Sequence, residues 1–226
     1  MTINRLFDVE SLQITNFTNP MLANFYRLSL FIATLLISTM SHSEPTYYKD
    51  TETLPYSVIK TLTEDIEIRH YNQAVGVMSE GNEDTGAFNL LFNYISGENK
   101  GNSDISMTSP VEVGKGSQEI AMTSPVEVSS ETMMFFLPSE YDAQSAPTPT
   151  NKNVSLVVVP ERTVAAIRYS GFSSDSDKEE YTRELRKVLE ENNIETVGLP
   201  SYMGYDSPFT LPWNKRHEII IPVEAP

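Results

Sequence analysis

Few side chains in this 226-residue chain have the type and setting for chemistry. His70 stands in Ile66-Glu67-Ile68-Arg69-His70-Tyr71, where apolar and polar residues alternate. The imidazole should therefore share a face with Ile66 and Ile68 near the strand's end. With a reference pKa of about 6.5 it is a neutral metal ligand near pH 7. A lone edge histidine hydrogen-bonded to its surroundings is the competing reading. Glu64, Asp65 and Glu67 cluster before and within the same strand, and an acidic turn of this kind is usually just solvated. Ser109 and Ser124 lie in no nucleophile elbow, and no Gly-x-Ser-x-Gly occurs. Metalloprotease, phosphate-loop and dinucleotide motifs are missing as well. The chain is expected not to be an enzyme.

Composition narrows the classes further. Sixteen basic against 31 acidic side chains give a net charge of −15 and a pI near 4.5. Such a surface repels phosphates, so no nucleic-acid partner is expected. Cysteine is absent, which excludes disulfides, thiolate metal sites and thioether-linked haem. Length and an apolar share of 39% allow one domain with trimmings.

Those trimmings are N-terminal. Leu28 to Ile37 is an apolar run preceded by Arg27, too short for a membrane span of about 20 residues but of signal-peptide proportions. Ser41-His42-Ser43 supplies small residues for cleavage before Glu44, and translation starting at Met21 would remove the polar residues ahead of the run. Residues 1–43 are read as an N-terminal extension and signal peptide, 44–55 as a flexible linker and 56–226 as the folded domain. The product would be exported, periplasmic or secreted, with no stable transmembrane span after signal removal. An uncleaved N-terminal membrane anchor is the alternative.

Within the domain one phrase is written twice. Ile105-Ser106-Met107-Thr108-Ser109-Pro110-Val111-Glu112-Val113 returns fifteen positions later as Ile120 to Val128 with a single substitution. Alternation after each proline predicts short strands, and Gly114 to Ser117 predicts a hairpin between them. Around this pair the chain reads strand, strand, helix, strand, strand, twice over. Tyr56–Lys60, Ile66–Tyr71 and the returning arm Ala74–Met78 lead to a helix with Phe88, Leu91, Phe92 and Ile95 on one face, capped by Asp84 or Thr85. Met133–Leu137 follows as a strand. Val154–Val159 and Thr163–Tyr169 pair around Pro160, and a helix capped by Asp175 or Ser176 carries Tyr181, Leu185, Val188 and Leu189 inward. Its outer face, with Lys178, Arg183 and Lys187, reads as solvated surface. Glu218–Val223 closes the chain as a strand. The expected class is α+β: a distorted antiparallel β-barrel of two pseudo-repeated ββαββ halves flanked by two α-helices.

An ordered set of motifs now resembles the SOUL haem-binding family. They are Glu67-Ile68-Arg69-His70-Tyr71, Asn93-Tyr94-Ile95-Ser96-Gly97, the Met-Thr-Ser-Pro-Val pair, Phe136-Leu137-Pro138-Ser139, Ser170-Gly171-Phe172-Ser173 and Gly204-Tyr205-Asp206-Ser207-Pro208. The resemblance spans about residues 56 to 224 and implies a two-helix distorted barrel that binds haem or a related porphyrin without a covalent link. It carries the iron-ligand role to His70, and apolar contact with the macrocycle to Phe88, Leu91, Phe92 and Tyr205. Met107 and Met122 could also ligate iron, although packing is the commoner use of methionine. Arg69, Lys100, Lys215 and Arg216 are the cations available to propionates. His217, where the family would have asparagine, reads as surface, and Trp213 as a plug over the core. The function implied is a tetrapyrrole carrier, buffer or store, resting on two half-barrels that close around an oily crevice. The alternatives are a general hydrophobic small-molecule binding module and, further off, an enzyme acting on a tetrapyrrole.

Overall fold

Alternation along each strand assembles, in the computed structural model, one curled antiparallel sheet. Residues 45–81, 86–101 and 116–224 are described. Strands β1 (Thr46–Tyr48) and β2 (Thr51–Thr53) form a small hairpin. The main sheet is built from β3 (Tyr56–Thr61), β4 (Ile66–Tyr71), β5 (Ala74–Glu80), β7 (Val126–Val128), β8 (Thr132–Phe136), β10 (Val154–Val159), β11 (Arg162–Tyr169), β12 (Ser201–Gly204) and β13 (His217–Pro222). Two-residue strands β6 (Asn99–Lys100) and β9 (Thr148–Pro149) pair separately. Helix α1 (Ala87–Ile95) follows β5, and α2 (Asp175–Glu191) follows β11.

Across the sheet the order is β10-β5-β8-β7-β12-β13-β11-β4-β3. Among the described residues its end strands β10 and β3 do not pair, so the sheet is a half-barrel and does not close. Neither expected hairpin forms: β4 pairs with β3 and β11, and β10 pairs with β5. The connectors explain this, because Asn72-Gln73 and Pro160-Glu161 are not the Asn-Gly or Gly-x pairs that close two-residue hairpins. Each connector instead sends the chain to the other side of the sheet. Edge strand β3 carries a register shift between Val58 and Lys60.

Period-two alternation gives the sheet two different faces. On the outer face Val75, Val77, Ile120, Met133 and Phe135 pack against Leu91 and Ile95 of α1. Ile66, Ile68, Ala165, Ile167, Ile219 and Ile221 pack against Leu185 and Leu189 of α2, where burying each leucine is worth about 1.5–3 kcal/mol. The concave face gathers Tyr71, Phe136, Val164, Ala166, Met203, Tyr205 and Ile220.

Helix α2 begins at a capping box, with the Ser174 hydroxyl accepting from the Asp177 amide and the Asp177 carboxylate accepting from the Ser174 amide. The cap is thus one residue before the expected Asp175 or Ser176. Gly86, at φ 79°, is the cap residue of α1; Asp84 and Thr85 lie outside the described residues. So do the first copy of the repeated phrase and Gly114-Lys115 of the turn after it, while the second copy begins its strand directly after Pro125 as expected.

Within the segment read as a flexible linker, residues 44–55, the described residues 45–55 carry the β1–β2 hairpin. That hairpin crosses to the concave face, where the amide of Leu54 donates to the carbonyl of Ser124 and Tyr48 meets Tyr205 edge-on. Tyr48, Leu54 and Tyr56 supply enough apolar surface to hold it there.

Candidate ligand-binding site

Two helices cannot cover a nine-stranded sheet. Helix α1 rests on β5, β8 and β10, and α2 on β11 and β13, so the short central strands β7 and β12 lie between them. A groove of about 500 Å³ opens there along α2. Val128, Tyr202 and Ile219 line its apolar part; Lys178, Arg183 and Arg186 come from α2, and Ser129 and Ser130 from the β7–β8 turn. Helical spacing explains the wall: Leu185 and Leu189 face the sheet, while Lys178, Thr182 and Arg186, four residues apart, line the side of α2 toward β7.

The cations are unevenly matched. Lys178 Nζ lies 3.6 Å from Asp175 and 4.7 Å from the centre of the Tyr202 ring. Arg183 is 4.0 Å from Glu179, with both side chains exposed. Arg186 makes no ion pair among the described residues. Tyr202 donates its hydroxyl proton to His217 Nδ1 at 2.7 Å, and His217 Nε2 donates to the Gly171 carbonyl at 3.2 Å. His217 is therefore buried and neutral, not surface; burial pushes its pKa below the ordinary histidine value, against the hydrogen bond to Gly171.

The concave face is occupied by a buried charge cluster. Glu218, 0% exposed, receives Arg69 Nη1 at 2.8 Å and Tyr205 OH at 2.9 Å on one oxygen, and Arg216 Nε at 2.9 Å and Nη2 at 2.7 Å on the other. Burial alone would raise the Glu218 pKa; the charges and hydrogen bonds of Arg69 and Arg216 outweigh it and hold the carboxyl below its usual range. Burial also pushes the Tyr71 phenol up to about 12. Arg216 stacks over Tyr205 at 4.0 Å, and Lys49 pairs with Asp206 above it. The expected oily crevice is therefore filled by the protein's own side chains, and the space lies on the outer face beside α2.

The residues singled out from sequence fall in different places. His70 shares the outer face with Ile66 and Ile68 as expected, 34% exposed, with Nδ1 3.4 Å from Thr163 Oγ1 and Nε2 4.0 Å from Glu161. It is a hydrogen-bonded residue on the far side of the α2 cluster from the groove's central strands. Phe88 stacks on Phe92 at 6.1 Å and meets Phe135 edge-on at 5.2 Å, and Phe135 pairs with Val126 on β7. Phe92 is 46% exposed, an apolar surface on the α1 side, whereas Leu91 is fully buried beneath the helix and has no surface for a ligand. Tyr205 faces the concave side and is committed to Glu218. The five positions do not converge.

The other candidates shift too. Arg69 and Arg216 are committed to Glu218, and Lys215 donates to the Pro208 carbonyl at 3.2 Å, so of the four proposed propionate partners only Lys100 is simply exposed. Met122, expected in the core, is exposed; Met107 lies outside the described residues. Trp213 is 70% exposed and plugs nothing. The groove cations were overlooked because charged residues on an outer helix face read as solvated. Their one legible signal is three basic residues within nine positions of an acid-rich chain.

No curated protein matches this chain. Among solved structures, a hydrolase from Listeria innocua is 13% identical, with 71% of this chain and 92% of that one aligned at a TM-score of 0.47. The EcmrR C-terminal domain is 14% identical over 76% and 99%, at a TM-score of 0.44. At such scores the likenesses carry no functional weight. The family model described as SOUL heme-binding protein, by contrast, matches residues 51–222, which takes in every strand of the curled sheet and both helices. With three-quarters of its length so matched, the chain belongs to the SOUL haem-binding family.

Proposed function

We propose that this protein binds haem or a related tetrapyrrole without a covalent link, in the groove between its helices. What supports the reading is one observation within a haem-binding family: an opening of about 500 Å³ with an apolar floor and a wall of mixed charge, where Asp175 and Glu179 line the groove beside Lys178, Arg183 and Arg186. That volume falls in the range of about 300–1,000 Å³ found for small-molecule sites. Val128, Ile219 and the Tyr202 ring would meet the flat macrocycle. The bound group would supply the iron; the chain supplies shape, apolar contact and charge.

The lining offers neither imidazole nor thioether, so in this reading the protein grips the ring and not the iron. His70, on the β4 edge, is the second reading for an iron ligand, favoured by its half-exposed imidazole. A carrier or buffer role outside the cytoplasm belongs to the same proposal and rests on the apolar run Leu28 to Ile37. Among the described residues no helix is long and apolar enough to cross a membrane. The pseudo-repeat is part of the proposal as well. It is supported by the strand order, in which exchanging β4, β5, β8 and β7 with β10, β11, β13 and β12 reverses the run from β10 to β4 and so keeps every neighbouring pair within it.

An absorbance titration with hemin tests the function. A band shift saturating at one equivalent, lost in Val128→Trp at unchanged melting temperature, is the expected result. A shallow, unsaturating response in the wild type sinks haem binding, and full binding by Val128→Trp sinks the groove. If His70→Ala abolishes a low-spin spectrum, the second reading replaces the first.

A further inference from the structure

Outside the groove's lining, two neighbouring loops turn large apolar side chains toward water. Ser170 to Ser173 carries Phe172, 77% exposed; Ser207 to Asn214 carries Phe209, 95% exposed, together with the exposed Leu211 and Trp213. The Gly171 amide donates to the Pro212 carbonyl at 3.0 Å, which brings the backbone at Phe172 beside that at Trp213. The longer loop is braced at both ends. Lys215 Nζ donates to the Pro208 carbonyl at 3.2 Å, Lys49 Nζ to the Asn214 carbonyl at 3.0 Å, and the Arg216 amide to Asp206 at 2.7 Å. Apolar surface gathered on such a platform marks an interaction face.

The charge around this face differs from that of the chain as a whole. From Ser207 to His217 there is no acid, and Lys215 and Arg216 are basic, in a chain of net charge −15. The nearest acids in sequence are partnered: Asp206 with Lys49, Asp175 with Lys178, and Asp177 with the Ser174 amide and hydroxyl. A second copy is a poor occupant, because its own −15 repels the first. A lipid surface suits the face better. Tryptophan, phenylalanine and leucine settle at the level of the headgroups, and Lys49 and Lys215 at the rim can meet lipid phosphates. The described chain also begins here: Pro45 lies four residues before Lys49, and the apolar run ending at Ile37 lies eight before Pro45, a reach of at most roughly 30 Å. Retained as an anchor, that run would keep this face near the bilayer.

We infer that Phe172, Phe209, Leu211 and Trp213 form a membrane-docking face that inserts among the headgroups of a lipid bilayer. The inference stands independently of what the groove binds.

Trp213 is the sole tryptophan of the chain, so its fluorescence reports this loop directly. Phosphatidylcholine vesicles are added to the full chain, with and without bromine on the acyl chains as a contact quencher. Trp213 emission is expected to shift to the blue and to lose about half its intensity to the brominated lipid. Phe172→Ser combined with Phe209→Ser should weaken the vesicle affinity read from this signal about tenfold, the order expected for two partly inserted aromatic rings. Both replaced side chains are exposed, so an unchanged melting temperature separates lost docking from lost folding. Pelleting of the chain with vesicles while Trp213 emission stays constant shows that another segment holds the lipid and overturns the inference. Absence of any vesicle response, or quenching undiminished in the double variant, overturns it as well. A blue shift that grows with protein concentration in the absence of lipid assigns the face to a second copy and overturns it too.

Discussion

The two faces of the curled sheet are made by the same strands yet have opposite fates. Inside, Arg69, Arg216 and Glu218 are buried and paired, tyrosines fill the remaining space, and an N-terminal hairpin lies across them. Outside, two helices cover the flanks and leave β7 and β12 in between, with charged groups at the edge of an open groove. The contrast shows that charge alone does not mark a ligand site. Buried charges satisfied by one another are committed to the fold; the partly exposed pairs beside the opening, Lys178 with Asp175 and Arg183 with Glu179, are held only weakly.

The largest effect should come from the inside. Glu218→Leu leaves two arginines without their buried partner and is expected to cost about 3–5 kcal/mol. For a domain of this size that is a fall in Tm of roughly 10 °C, measurable by calorimetry. A loss below about 1 kcal/mol would mean the cluster is wetter than its geometry indicates and would blur the contrast between the faces.

Acid should break the same face second. Since Glu218 titrates below its ordinary value, its contribution is present above the unfolded carboxyl value of about 4.3 and is lost as pH falls through the folded one. His217, also lowered, adds an earlier loss that begins as pH drops below about 6.5, where the unfolded chain takes up a proton first. Melting temperature plotted against pH should therefore decline in two steps. His217→Gln should erase the upper step alone; survival of that step would assign it elsewhere.

Smaller still is the cap that sets the groove wall. Ser174→Ala removes one half of the capping box and is expected to cost about 1 kcal/mol in urea unfolding. Hemin binding should weaken slightly as the first turn of α2, which bears Lys178, frays. Unaltered stability would show that packing of Leu185 and Leu189 holds α2 without its cap.

Strands and helices were largely legible because their periods are strong: Ile66-Glu67-Ile68 alternates cleanly, and Leu185 and Leu189 sit one turn apart. Their partners were not. Nothing local in Asn72-Gln73 says that β4 and β5 part company and that β10 becomes β5's neighbour, since that depends on residues about 80 positions away. The inner charges were misjudged for a related reason. Glu67 occupies the polar half of a half-buried pattern and reads as solvated, and Arg69 reads as a cation open to propionates, until Glu218, 149 residues beyond Arg69, takes it as a buried partner. Family motifs pointed to His70 and Tyr205, but a motif identifies a strand and not which side of it holds the vacant space.

An open sheet also has consequences at its rim. Strand β3 ends the array with most of its residues exposed, Val58 and Ile59 among them, and its outer backbone amides and carbonyls could accept an added strand from another copy. The slip between Val58 and Lys60 puts those groups out of step, and Lys60 places a charge beside them. The half-barrel can thus stay unclosed without offering neighbouring molecules a straight seam on which to assemble.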